Sequence, residues 1–182
     1  SSRQRTVPLL VAEYAYVRDH LDKSLATILV ARLLPSNLTM ATVCDEKGLD
    51  PQTVARLAQF IKESGYSHLV YKSDQEFGLR ALFEEAFTKS TRQGDLFNPR
   101  LQQMVPEASS VGESQSNGRA EIAVQKLEDL LRTLKSALET NAQLRVESTS
   151  PLMMWMVEHA ASLYNRHLCN SDGKTPFETI HG

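Results

Sequence analysis

Three carboxylates stand where an acid needs a physical reason. Glu13 interrupts the apolar run LLVAEYAYV, flanked by Val11, Ala12 and Tyr14. A buried carboxylate without a partner is expensive, so Glu13 either faces solvent on a strand edge or faces a metal or a cation. Asp74 follows the strand-like segment YSHLVYK after one residue, Ser73, and precedes a helical stretch. Sheet-based sites gather ligands at such strand ends, although an acid there also serves as a helix cap. Glu121 falls in the first turn of a long helical segment, where it also complements the helix dipole. Two strands and a helix could bring the three together as a cage of oxygen ligands, which suits Mg²⁺ or Mn²⁺. Two such ions activate a water or hydroxyl and stabilise the leaving oxygen of a phosphodiester, with no covalent protein nucleophile.

The elements that must position these acids read as follows. Residues 8–17, 25–34 and 38–44 are apolar, partly β-branched runs separated by polar turns, which predicts an antiparallel meander. Asp50-Pro51 opens a helix with Val54, Leu57, Ala58 and Ile61 on one stripe, and Gly65 stops it. Residues 66–72 form a short strand. A helix with Leu79, Leu82, Phe83, Ala86 and Phe87 follows. Strand and helix in alternation imply a crossover, and so a mixed sheet covered by helices. Residues 94–118, with scattered Gly and Pro and a serine-rich end, read as a flexible loop, of which 101–106 could form one more strand. Residues 119–140 carry the stripe Ala123, Leu127, Leu130, Leu131, Leu134 and Leu138. Glu121 lies off that stripe, with Val124, Gln125, Glu128 and Arg132. A last helix starts at Ser150-Pro151 and carries Leu152, Met156, Ala160 and Leu163, and Met153, Met154, Trp155 and Met156 read as core packing.

Composition narrows the function classes. The 182 residues suit one domain over 1–182, and both ends read as cuts from something longer. With 41% apolar and 23% charged residues the chain is ordinary soluble material. No apolar run reaches the length of a membrane span, and no membrane or small-molecule partner is expected. A net charge of −2 excludes a strongly basic polyanion binder. Cys44 and Cys169 are too few for a disulfide framework or a four-cysteine zinc site and read as idle thiols. His159 and His167 read as packing or capping groups. The sequon at Asn37 reads as chance.

Four segments carry a resemblance. They are Leu9-Leu10-Val11-Ala12-Glu13-Tyr14, Val70-Tyr71-Lys72-Ser73-Asp74-Gln75-Glu76, Gln115-Ser116-Asn117-Gly118-Arg119-Ala120-Glu121, and Tyr164-Asn165-Arg166-His167 with Lys174-Thr175-Pro176-Phe177-Glu178. In this order the chain, over roughly residues 7–182, resembles the catalytic core of retroelement integrases, of the ribonuclease H-like superfamily. The third and fourth segments are the most specific.

The resemblance implies an α/β fold, a five-stranded mixed sheet flanked by helices. It implies metal-dependent trimming of DNA ends and their transfer to target DNA by a polynucleotidyl transferase. The catalytic and metal-holding triad falls on Glu13, Asp74 and Glu121, with 60 and 46 residues lying between successive members. The second interval is longer than is usual in the family. Mg²⁺ or Mn²⁺ is the implied cofactor, and DNA and further copies of the chain are the implied partners, at a nuclear site of action. Lys72, Gln115, Asn117, Arg119 and Lys126 are the implied nucleic-acid contacts. Two features depart from the family. Glu13 stands where the first Asp belongs, and Gln125 and Glu128 stand where the catalytic helix is otherwise basic. They point to an alternative, a decayed domain that only binds nucleic acid or protein. A nuclease cutting RNA in hybrids is the third reading; the Gln-Ser-Asn-Gly and Thr-Pro-Phe-Glu segments favour integrase over it.

Overall fold

The computed structural model describes residues 7–18, 25–72, 77–107 and 115–182. Five strands form one sheet: β1 (Leu9–Arg18), β2 (Leu25–Leu34), β3 (Leu38–Cys44), β4 (His68–Lys72) and β5 (Gln103–Pro106). Their spatial order is β3-β2-β1-β4-β5. The first three make the antiparallel meander expected of alternating apolar runs and polar turns. β1 pairs β2 from Leu9↔Leu34 to Arg18↔Leu25, and β2 pairs β3 from Thr27↔Cys44 to Leu33↔Leu38. β4 and β5 then add in parallel, through Leu9↔Val70 to Val11↔Lys72 and His68↔Gln103 to Tyr71↔Pro106. Parallel pairing needs a crossover, and α1 (Pro51–Ser64) and α2 (Phe77–Thr91) supply it. α3 (Gln115–Ala142), α4 (Pro151–His167) and α5 (Pro176–His181) complete the chain.

Both faces of the sheet are covered, so its central strands are apolar on both sides. Leu10 and Tyr14 of β1 join Leu29, Ala31 and Leu33 of β2 in a core with Leu57, Ile61, Leu82 and Phe83 of α1 and α2. Ala15, Ile28 and Val30 pack with Ala123, Leu127, Met153, Met156 and Ala160 of α3 and α4. Strand residues alternate in direction, so odd positions of β1 and even positions of β2 look toward α3 and α4. Local chemistry sets the helix ends. Asp50 caps α1 by accepting from the Gln52 N–H at 3.3 Å, and Gly65 ends it at φ +72°, which favours glycine.

Two expectations need correction. Residues 94–118 are less open than a flexible loop: besides the strand foreseen within 101–106, which forms as β5, α3 already starts at Gln115, and Asn98 and Leu101 are buried. α4 is rotated from the predicted stripe. Met153, Met156, Val157, Ala160, Ala161 and Tyr164 are its buried face. Trp155 is 55% exposed, Leu152 is exposed and Leu163 is only half-buried. A run of four large apolar residues does not declare which of them turns inward, and Trp155 finds its partner on the surface, stacked on His159 with centroids 4.6 Å apart.

Candidate active site

Glu13 sits mid-strand on β1, half-buried, between Val11 and Ala15 on the face toward α3. Those two neighbours fix its surroundings. Val11 packs with Leu34 and with Ala120 of α3. Ala15 belongs to the cluster that holds Ala123 and Leu127 of the same helix. Glu121 lies between Ala120 and Ala123 in the chain and is exposed, off the packed stripe as its spacing predicts. Two small alanines let the helix approach the strand closely. The pair of carboxylates is thus bracketed by one helix–strand contact, with Glu13 about 7 Å along the strand from Val11 and Glu121 next in the chain to Ala120.

Asp74 lies outside the described residues, as do the side chains of Gln115 and Asn117. The described pairing of β1 with β4 ends at Val11↔Lys72. Glu13 is two residues on from Val11, and Asp74 is two residues on in sequence from Lys72. Beyond Val11 no other described strand pairs with β1 on the side away from β2. Among the described residues no group of three His, Cys, Asp or Glu side chains is placed to hold a metal. The donor chemistry of Glu13 and Glu121, hard carboxylate oxygens, fits Mg²⁺ or Mn²⁺ and does not fit a soft-metal site.

The basic residues separate. Lys72 is half-buried at the end of β4, and Arg119 is exposed beside Glu121. Lys126, also exposed, has its ammonium 5.9 Å from the centroid of Tyr164 on α4, on the side of α3 toward that helix. Glu128, one turn beyond Val124, is half-buried; desolvation lifts its carboxyl above the ordinary glutamate range, with Arg132 opposing.

Sequence reasoning missed the second charge inside the sheet. Arg32 of β2 is 4% exposed, faces α3 and α4, and lies directly opposite Val11. Its Nε donates to Thr39 Oγ1 at 3.1 Å, and its guanidinium stands 5.0 Å from the Tyr164 centroid. One terminal nitrogen, Nη2, has no hydrogen-bond partner among the described residues. Burial pushes the Arg32 pKa down, against the Tyr164 phenol, which holds it up. The signal was available: like Glu13, Arg32 breaks an apolar strand run.

The fourth resembling segment turns out to do architecture. Asn165 brackets the edge strand: the Thr39 N–H donates to its Oδ1 at 2.9 Å, and its Nδ2 donates to the Thr39 carbonyl at 2.7 Å. Asn170 adds a bond from Nδ2 to the Ser36 carbonyl at 3.0 Å and accepts from Asn37 Nδ2 at 2.9 Å. Thr175 and Glu178 form a reciprocal capping box that starts α5. Phe177 lies 4.3 Å from the Arg166 guanidinium. A groove here, lined by Thr39, Arg56, Glu158, Asn165 and Phe177, includes neither Glu13 nor Glu121.

No protein-family model and no curated protein matches the sequence. Solved structures do match the fold. The HTLV-2 integrase catalytic core domain in complex with magnesium matches in its trimeric form with a TM-score of 0.60 and 15% identity, over 95% of this chain and 95% of that one. Its dimeric form matches with a TM-score of 0.59 and 15% identity, over 97% and 98%. The intasome of simian T-cell lymphotropic virus, in complex with PP2A regulatory subunit B56 gamma, matches with a TM-score of 0.61 and 14% identity. There the match covers 96% of this chain and 54% of the other, so this chain spans about half of that protein. No helix among the described residues is long and apolar enough to cross a membrane. The mixed sheet and its helix layers have the ribonuclease H-like fold of retroviral integrase catalytic cores.

Proposed function

We propose that the chain is an integrase catalytic core that processes DNA ends and joins them to target DNA by phosphodiester transesterification. The observation that carries this reading is the bracketing of Glu13 and Glu121 by one helix–strand contact, in a fold shared with magnesium-bound integrase cores. Asp74 is the proposed third member, because it stands two residues past the end of β4's described pairing, as Glu13 does on β1. Glu13, Asp74 and Glu121 would hold Mg²⁺ or Mn²⁺. Such ions, when bound, supply Lewis acidity at the scissile phosphate and lower the pKa of a bound water.

The chain's own residues position and exclude. Val11, Ala120 and Leu34 fix the start of α3 against β1, so Glu121 moves with the strand that carries Glu13. Lys72 and Arg119, with Gln115, Asn117 and Lys126, are the proposed contacts to the DNA. DNA ends, target DNA and further copies of the chain are the proposed partners, and the nucleus the proposed site of action. A second reading is favoured by one observation, Glu13 in place of Asp. The extra methylene displaces the carboxylate by about one bond, and a 1 Å misplacement costs about 10²-fold. On that reading the fold persists as a binding module without turnover.

The test is resolution of a labelled branched DNA duplex, the reverse of strand transfer, in Mn²⁺ and in Mg²⁺. The proposal expects metal-dependent resolution by the wild-type chain and loss of it in Asp74→Asn and Glu121→Gln. No resolution by wild type together with clear resolution by Glu13→Asp would establish the decayed reading. Silence from both would reject the enzyme altogether.

A further inference from the structure

The cations of α3 fall into two groups. In the C-terminal half each has an acid: Arg132 pairs with Asp129 at 3.2 Å, and Lys135 pairs with Glu139 at 3.6 Å. In the N-terminal half, on the turns around Glu121, Arg119 and Lys126 are exposed and make no ion pair with an acid among the described residues. Asp129, three residues beyond Lys126, is taken by Arg132. Arg119 and Lys126 are seven residues apart, two turns and about 10 Å of helix, so they share one face. Of the two, Lys126 is the one with a ring beside it among the described residues: its ammonium lies 5.9 Å from the Tyr164 centroid. Tyr164 is buried on α4 and is tied to the sheet. Arg32 of β2 stands 5.0 Å from the same ring and donates through Nε to Thr39 of β3 at 3.1 Å. Asn165, next to Tyr164 in the chain, brackets the Thr39 backbone. A run of contacts thus leads from the edge strand through a buried ring to one exposed ammonium, which belongs to a residue about 7.5 Å of helix from Glu121.

We infer that Tyr164 is a positioning residue for DNA: its ring holds the Lys126 ammonium in place for a backbone phosphate of a duplex that runs along α3 from the carboxylate site. This rests on the function proposed above, which names Lys126 as a DNA contact. Lysine is a compact charge on a flexible four-carbon stem, and fixing it before binding removes part of the ordering cost. A ring takes one side of an ammonium and leaves its other N–H donors for phosphate oxygens. Two cations without acid partners, on the helix that carries Glu121, give the charge complementarity that a phosphodiester backbone requires. Arg119 supplies the second of them with no ring to support it, and so serves as the internal control.

The test is fluorescence anisotropy of the 182-residue chain on a labelled blunt duplex, without added metal, over a range of salt. Lys126→Gln and Arg119→Gln should each reduce the slope of log affinity against log salt by about 0.9, the value for one duplex phosphate. Tyr164→Leu should weaken binding about two- to fivefold, the worth of an exposed cation–π contact, while Tyr164→Phe keeps the ring and the wild-type affinity. Tyr164→Leu combined with Lys126→Gln should bind no worse than Lys126→Gln alone, because the ring acts through the lysine. Combined with Arg119→Gln, it should add its full loss. A merely structural Tyr164 would give the same loss in both backgrounds. Tyr164→Met takes the place of Tyr164→Leu if that variant does not fold, and Lys126→Gln, on the surface, depends on neither. No duplex binding by wild type, an unchanged salt slope in Lys126→Gln, equal losses in the two backgrounds, or a loss in Tyr164→Phe as large as in Tyr164→Leu would each overturn the inference. Branched-duplex resolution judges the enzyme separately: resolution by wild type with an uncoupled Tyr164 sinks the positioning role alone, and a coupled Tyr164 without metal-dependent resolution sinks the enzyme alone.

Discussion

The two faces of the β1–β2 pair are made of different material. Toward α1 and α2, the strands present Leu10, Ala12 and Tyr14 beside Leu29, Ala31 and Leu33, an uncharged set. Toward α3 and α4, Val11, Ala15, Ile28 and Val30 are interrupted by Glu13 and Arg32. Both strands are covered on both sides, so each interruption costs stability that an apolar residue would not. The first face holds the fold together. The second holds charge in fixed positions, and Glu13 on it faces the helix that carries Glu121. The difference teaches that the two covered faces of this strand pair can be mutated separately, for stability on one side and for the carboxylate site on the other.

That contrast can be broken at its strongest point. Phe83→Ala empties a fully buried ring position on the apolar face and should cost about 3–5 kcal/mol in urea unfolding. A cost below about 1 kcal/mol would mean that this face is not the stabilising one. Asn165→Ala comes next. It removes two hydrogen bonds to the backbone of β3 and should cost about 1–3 kcal/mol in the same measurement.

Arg32→Met sharpens the comparison. It replaces an incompletely satisfied buried guanidinium with an apolar chain of similar reach, and stability should stay within about 1 kcal/mol or rise. A loss of about 3 kcal/mol would show that the guanidinium is fully partnered in solution.

The smallest effect concerns pH. Glu128 has its folded-state pKa raised by desolvation, so the folded chain binds that proton more tightly than the unfolded chain does. Its contribution favours folding when protonated and becomes a penalty as pH rises through the folded value. Glu128→Gln should therefore raise the melting temperature at pH 7 by less than about 2 °C. The gain should fade as pH falls below the carboxylate range.

Much of the architecture was legible because local chemistry and tertiary packing agree. The Asp50-Pro51 start and Gly65 stop of α1 are backbone requirements written in residue types. The meander followed from apolar runs separated by polar turns. α3 begins earlier than its apolar stripe suggested, because Gln115 to Gly118 enter the helix without contributing to that stripe. Within residues 94–118 the short strand foreseen at 101–106 forms as β5, while the burial of Asn98 and Leu101 had no sequence signal among the scattered Gly and Pro. The Tyr164-Asn165 and Thr175-Glu178 pairs were legible as motifs, yet their work is stacking, edge bracketing and capping.

At the site, Glu13 was legible as an acid in an apolar strand. Its orientation toward α3 required knowing that both faces are covered. Arg32 carried the same signal on β2 and needed the Tyr164 ring, 132 residues away in sequence, to make sense.

The central claim is that Glu13, Asp74 and Glu121 converge on a common divalent cation. Calorimetric titration of the chain with Mn²⁺, for wild type, Asp74→Asn and Glu121→Gln, tests it most directly. The account predicts saturable binding by wild type that is lost in both variants, with all three proteins equally folded by circular dichroism. Undiminished Mn²⁺ binding in Asp74→Asn, or none by the folded wild-type chain at millimolar metal, would contradict it.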